Sequence, residues 1–379
     1  MKTLEIEKTD GQARVGRLMT AHGEVETPVF MPVGTQGIVK AVTPRDLEDI
    51  GVRMTLANAY HLYLRPGDAL IKEMGGIHRF SGWKGAVLTD SGGYQIFSLG
   101  VLRSIKEEGV TFQSHIDGSK HFLTPEKMVE VQENIGADVC MCLDECVAYP
   151  SSYEYTSQSV GLTTRWAGRC RAAKKDGRTH LFGIVQGGTY EALRTKSATD
   201  LVALDFDGYA VGGLSVGEPK SVMWKMVEVS VAHLPGEKPR YLMGVGFPED
   251  IVEGVRMGAD MFDCVIPTRH ARNGSLFTST GRINIKHARY VRDESPVDEE
   301  CGCYTCRNFS RAYLRHLFMA NELSSYYLNT VHNLHYYADL MRRIRQAIRD
   351  GGFSVFYEEF QTQWKGGEVQ SGEYSVCNG

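Results

Sequence analysis

The 379-residue chain holds no run of about eighteen uncharged apolar residues, and its opening stretch MKTLEIEKTDGQARVG contains no apolar signal segment. The first absence excludes a membrane-spanning helix and the second a secretory leader, so a cytoplasmic protein without a membrane partner is expected. A strong overall charge is lacking too: at −4 the molecule as a whole is not a basic nucleic-acid binder. A bias toward disorder is also missing, because 42% hydrophobic residues suffice for a sizeable core. Nine cysteines in a cytoplasmic chain read as thiols or metal ligands rather than disulfides. One local absence says more. Between Cys264 and Arg292 there is no Asp or Glu, while Arg269, Arg272, Arg282, Lys286, Arg289 and Arg292 accumulate. Such a segment can neutralise phosphates, the plain alternative being a solvated surface.

Eight short β-rich runs recur with helical material between them: PVFMPVG, RMTLANA, AVLTDSGG, DVCMCLDE, LFGIVQGG, GYAVGGLS, RYLMGVG and MFDCVIP. Thr43-Pro44 and Thr124-Pro125 supply helix caps with proline in the first turn, and Gly51 and Gly136 stand where helices stop. Strand then helix, eight times over, predicts an α/β fold, a (β/α)8 TIM barrel. Two segments break the alternation as hairpins, one turning at Asp117-Gly118 and one near Thr280-Gly281. The expected organisation is a single TIM-barrel domain over 1–379, a zinc-binding insertion after the eighth strand over 266–335, and a frayed polar tail at 366–379.

Inside that insertion Cys301, Cys303 and Cys306 form a Cys-x-Cys-x-x-Cys cluster. Tetrahedral Zn²⁺ accepts closely spaced thiolates and needs one further ligand. His316, His332 and His335 are the candidates, and spacing does not separate them. Three cysteines and a histidine make a closed shell, which points to a structural ion rather than a catalytic one.

The chemistry is expected at the strand ends. Asn58, Asp90, Asp144, Gln186, Gly213 and Asp263 all fall where an apolar run gives way to a loop, and in a barrel such positions converge on the C-terminal mouth. Ser91, Gly92 and Gly93 after Asp90 let the backbone approach a ligand closely. Two aspartates from different strands suit glycosidic bond cleavage, one attacking the sugar carbon and the other handling the leaving group's proton. Asp144 and Gln186 can read the hydrogen-bonding edge of a base, and Tyr94 and Met243 can sandwich a flat ring. A carbohydrate glycosidase on the same barrel would leave the basic segment and the cysteines without a role. A noncatalytic zinc RNA-binding protein would leave the carboxylates without one.

TDSGGYQ, LDEC, VQGG, YAVGGLSVGEPK, YLMGVG, MFDCVIPTRHARNG and CGCYTCRNFSRAYL closely resemble the bacterial tRNA-guanine transglycosylases, or queuine tRNA-ribosyltransferases, over residues from about 10 to 360. The resemblance implies base exchange at the wobble guanosine of tRNAs for Asp, Asn, His and Tyr, within a U-G-U loop of the anticodon arm. It makes Asp263 the nucleophile at C1′ and Asp90 the general acid and base. It assigns base recognition to Asp144, Gln186, Gly213 and Leu214, with Ser91 beside them, stacking to Tyr94 and Met243, and a place near the ribose to Asn58. RNA contacts are implied along Gly244, Val245 and Gly246 and along Thr268, Arg269, His270, Ala271 and Arg272. Structural zinc would be held by Cys301, Cys303, Cys306 and His332, and the chain would form a homodimer. Cys146 and Val216, where eukaryotic relatives have glycines, imply 7-aminomethyl-7-deazaguanine as the incoming base, with guanine as the base it replaces. The chain departs from the usual family pattern at His270 and Ser215.

Overall fold

Each of the eight apolar runs becomes a strand: β1 (Val29–Gly34), β2 (Met54–Asn58), β3 (Ala86–Asp90), β4 (Val139–Met141), β5 (His180–Val185), β6 (Gly208–Val211), β7 (Arg240–Leu242) and β8 (Met261–Cys264). In the computed structural model, which describes residues 2–99 and 103–364, these strands close into a barrel. Every neighbouring pair is parallel, and β8 pairs back onto β1. The fold is thus the α/β barrel that the alternation predicts; the tail at 366–379 lies outside the described residues.

Side chains alternate across each strand. Met54, Leu56, Val139, Met141, Phe182, Ile184 and Tyr241 fill the interior. Their neighbours Ala57, Cys140, Leu181 and Val185 pack outward against the helices. Each large apolar side chain so buried contributes about 1.5–3 kcal/mol. The expected caps are present. Thr43 and Asp46 form a reciprocal capping box ahead of helix Pro44–Ile50, and Gly51 ends it in the left-handed conformation. Thr124 caps Pro125–Ile135, which Gly136 ends in the same way.

An antiparallel sheet that the count of eight runs does not include, Leu4–Asp10, Ala13–Thr20 and Gly23–Thr27, lies at the opposite end from the mouth. Leu18 and Val25 from this sheet join the interior core and close the barrel floor. Two buried carboxylates hold it there. Arg14 donates to Asp260 with Nε at 2.7 Å, and both side chains are almost wholly buried. His22 Nδ1 lies 2.8 Å from Asp138. Removing one partner of a buried pair such as Arg14–Asp260 typically costs about 3–5 kcal/mol.

Both expected hairpins form. Gly109–Gln113 pairs with Lys120–Leu123 around Asp117-Gly118, and Ser275–Thr278 pairs with Gly281–Asn284. The second belongs to a satellite with its own core of Leu276, Ile285, Tyr290, Val297, Leu314 and Leu317. A 28-residue helix, Leu323–Asp350, runs from this satellite onto the barrel, so residue 335, expected as the boundary, lies inside one continuous element. Buried amides on that helix bind the chain that follows β8. Asn329 Nδ2 donates to the Ala271 carbonyl, and Asn333 Nδ2 donates to the carbonyls of Pro267 and Ser275.

Candidate active site and metal centre

One cavity of about 160 Å³ opens at the C-terminal ends of the strands, and Asn58, Asp90, Asp144, Gln186, Gly213 and Asp263 all line it. Six residues separated by as many as 205 positions meet there because each ends its strand on the same side of the barrel.

Asp90 terminates β3 directly across from Asn58 on β2. Asn58 Nδ2 donates to Asp90 Oδ2 at 2.7 Å and the Ala59 N–H to Oδ1 at 3.1 Å. Burial pushes the Asp90 carboxyl up to about 8, and the charges of Asp263 and Asp144 push the same way, against the bonds from Ala59 and Gly92. Near neutrality Asp90 therefore carries a proton it can give away. Asp144 lies just beyond β4. It accepts Ser91 Oγ–H at 3.0 Å and Gln186 Nε2–H at 2.7 Å, and burial raises its carboxyl to about 6. The other Gln186 atom, Oε1, is buried without a hydrogen-bond partner. An orphaned acceptor of this kind suits a ligand N–H.

Asp263 on β8 differs from both. Its Oδ1 accepts the phenol of Tyr241 at 2.6 Å and the Gly244 N–H at 2.8 Å. Burial raises its carboxyl while these two donors oppose the rise. The cavity thus presents Asp90, held protonated near neutrality, beside Asp263, which burial also raises and whose two donors converge on one oxygen.

Tyr94, Met243, Cys146, Leu214, Val216, Ser91 and Gly244 line the same cavity. Gly213 has φ +63°, and a Cβ there would sit 2.2 Å from Gln186 Oε1, so glycine alone leaves that acceptor in place. The other expected RNA contacts divide. Arg269, His270 and Arg272 are partly exposed, whereas Val245, Gly246, Thr268 and Ala271 are buried. Thr268 and Ala271 form the inner face of helix Ile266–Arg272. His270 stacks on Phe277, and burial followed by the charges of Arg282 and Arg269 lowers it to about 4, leaving a neutral ring.

Three further residues hold the site together. Tyr241 sits on the strand face it shares with Met243, where a buried phenol needs a polar partner; that requirement was the available signal. Arg194 is fully buried, and its guanidinium donates to the carbonyls of Gly188, Val185, Gly212 and Gly213, fixing the loops after β5 and β6. Its sequence context, LRTKSATD, reads as a surface helix and gave no such signal. Glu218 accepts the N–H groups of Ser215 and Val216, with Ser215 at φ 60°.

In the satellite, Cys301, Cys303, Cys306 and His332 bring four ligand atoms together. His332 Nδ1 lies 3.8, 3.6 and 3.3 Å from the three sulfurs. Tetrahedral zinc with bonds of about 2.3 Å to sulfur and 2.0–2.1 Å to nitrogen would place such atoms about 3.6 Å apart. His332 Nε2 is 2.6 Å from the Phe277 carbonyl, which fixes the ring with Nδ1 toward the thiols. His335 reaches Cys301 alone at 3.6 Å, and His316 lies against Tyr313 outside the cluster. The donor set fits a closed metal shell.

The family model described as queuine tRNA-ribosyltransferase matches residues 9–366. Proteins named queuine tRNA-ribosyltransferase are similar over nearly the full length. That of Solidesulfovibrio magneticus is 57% identical over 368 residues, 97% of this chain and 99% of its own. That of Thermoanaerobacter sp. is 58% identical over 349 residues, 92% of this chain and 93% of its own. The Symbiobacterium thermophilum protein is 55% identical over 368 residues, 97% and 92% respectively. The chain therefore belongs to the queuine tRNA-ribosyltransferase family, and it is a pentosyltransferase, a tRNA-guanine transglycosylase of queuosine biosynthesis.

Proposed function

We propose that this enzyme replaces the wobble guanine of tRNAs for Asp, Asn, His and Tyr with 7-aminomethyl-7-deazaguanine by double displacement. The observation that carries the reading is the contrast between the two carboxyls at one cavity, Asp263 with two donors on one oxygen and Asp90 held near 8. Asp263 attacks C1′ of the ribose and the C1′–N9 bond breaks. Asp90 gives its proton to the departing guanine, then takes one from the incoming base, while the covalent aspartyl-ribosyl ester bridges the two steps. Asp144 and Gln186 read the base edge with Gly213 and Leu214, Tyr94 and Met243 stack on its faces, and Asn58 stands near the ribose. Cys146 and Val216 keep the pocket small enough to favour the aminomethyl base.

The target base cannot be reached while stacked in its loop, so the wobble guanosine of the U-G-U sequence is flipped into the cavity. Arg269 and Arg272, with the carboxylate-free segment around them, bind the flanking phosphates. Structural Zn²⁺, one per subunit, is held by Cys301, Cys303, Cys306 and His332; the insertion at 266–335 then helps grip the anticodon arm. The active form is a homodimer in the cytoplasm; no helix among the described residues is long and apolar enough to cross a membrane.

Purified protein should incorporate radiolabelled guanine into unmodified tRNA carrying the U-G-U loop, and 7-aminomethyl-7-deazaguanine should compete with it. Folded, zinc-loaded protein that incorporates nothing would overturn the proposal. For the metal, His332→Ala should lose the bound zinc, and its melting temperature should fall by about 3 °C or more, a chain of 379 residues shifting by about 1.3 °C for each kcal/mol lost. Full zinc retention would move the fourth ligand to His335.

A further inference from the structure

We propose that Tyr241 is a positioning residue that selects which oxygen of Asp263 attacks the ribose and that eases the departure of this carboxylate in the second displacement. The inference rests on Asp263 being the nucleophile. Tyr241 is 1% exposed on β7, and its hydroxyl donates to Asp263 Oδ1 at 2.6 Å. The Gly244 N–H donates to the same oxygen at 2.8 Å. Among the described residues no hydrogen bond reaches Oδ2. One oxygen is thus occupied twice and the other keeps its lone pairs for chemistry.

The asymmetry has a consequence for each half of the reaction. In the first, Oδ2 gives an electron pair to C1′, the C1′–N9 pair leaves with guanine, and Asp90 supplies the proton. Oδ1 is now the ester carbonyl, a weaker acceptor than a carboxylate oxygen. In the second half, the incoming base attacks C1′ and gives up its proton to Asp90. The C1′–Oδ2 pair returns to Asp263, and the charge spreads onto Oδ1, where two donors already stand. Donors placed on the departing carboxylate stabilise it as a leaving group. The same donors temper its nucleophilicity. Removing the phenol hydroxyl therefore penalises ester breakdown more than ester formation, and the covalent species accumulates.

Tyr241→Phe removes only the hydroxyl and keeps the buried ring. Two rates should be measured in single turnover: appearance of the enzyme–tRNA adduct on a denaturing gel, and its chase by excess labelled guanine. Loss of one hydrogen bond to a charged group corresponds to about a 10- to 100-fold effect. The chase should slow by about that factor, adduct formation should change by no more than about threefold, and the steady-state adduct fraction should rise. Equal slowing of both steps, or an unchanged chase, would overturn the proposal; zinc content and melting temperature report whether the variant is folded. Absence of any adduct in the wild type would instead remove the nucleophile assignment on which the inference stands.

Discussion

Asp263→Asn should bind tRNA with near-normal affinity and form no covalent adduct, and base exchange should fall by about 10⁴-fold or more, the scale on which covalent nucleophiles contribute. The substitution changes little else. Asparagine keeps the size of the side chain, and its carbonyl oxygen can still accept the Tyr241 hydroxyl and the Gly244 N–H that now converge on Oδ1. What disappears is the anionic oxygen, replaced by an amide nitrogen whose lone pair is delocalised. The basic residues proposed to bind RNA lie on Ile266–Arg272 and beyond, so affinity and chemistry should separate in this variant. A gel-shift titration beside a denaturing gel distinguishes them. A normal adduct would reject Asp263 as nucleophile, whereas loss of tRNA binding would show that the substitution had disturbed more than chemistry.

The second large effect belongs to Asp90. Its carboxyl is raised to about 8, chiefly by burial, so the acid form predominates at neutrality and is lost as pH rises through about 8. Asp144 is raised to about 6, so its ability to accept base N–H groups is present above that value and is lost as pH falls through it. Adduct formation by the wild type should therefore follow a bell, rising near pH 6 and falling near pH 8. Asp90→Asn should lower the rate by about 10²- to 10⁴-fold, the usual contribution of a general acid, and should erase the alkaline limb. The acidic limb should survive, because Ser91 and Gln186 still hold Asp144. A wild-type profile flat between pH 7 and 9 would exclude Asp90 as the proton donor.

The sequence revealed the strands and the six strand-end residues for a shared reason. A parallel strand buried on both faces must be apolar, so its end is marked by the first polar residue, and barrel closure gathers such ends at one mouth. Asn58, Asp90 and Asp263 are legible on that ground alone. The cysteine triplet is legible through local spacing. The histidine that completes the cluster is not, because it depends on how a helix from beyond the hairpin docks against the loop; only that docking turns His332 Nδ1 toward all three sulfurs and leaves His335 touching one. Arg194 was hidden by its polar neighbours, since nothing in LRTKSATD says that four backbone carbonyls will enclose it. The floor sheet was missed because charged residues alternate along LEIEKTD and GEVET. Its buried positions are few on those two strands and gather on the middle one, Ala13–Thr20, which is too short to stand out as an apolar run.

The helix Leu323–Asp350 carries His332 of the cysteine–histidine cluster in its first half and, through Asn329 and Asn333, grips the chain that leaves β8. It acts as a splint across a joint rather than as one wall of a detachable module. Trimming the satellite away would leave the splint anchored at one end only, with a buried imidazole and two buried amides facing solvent. A shortened enzyme that kept the barrel would need a redesigned helix, not merely a shorter loop, and the cysteine cluster is bound into the same architecture as the strand that bears Asp263.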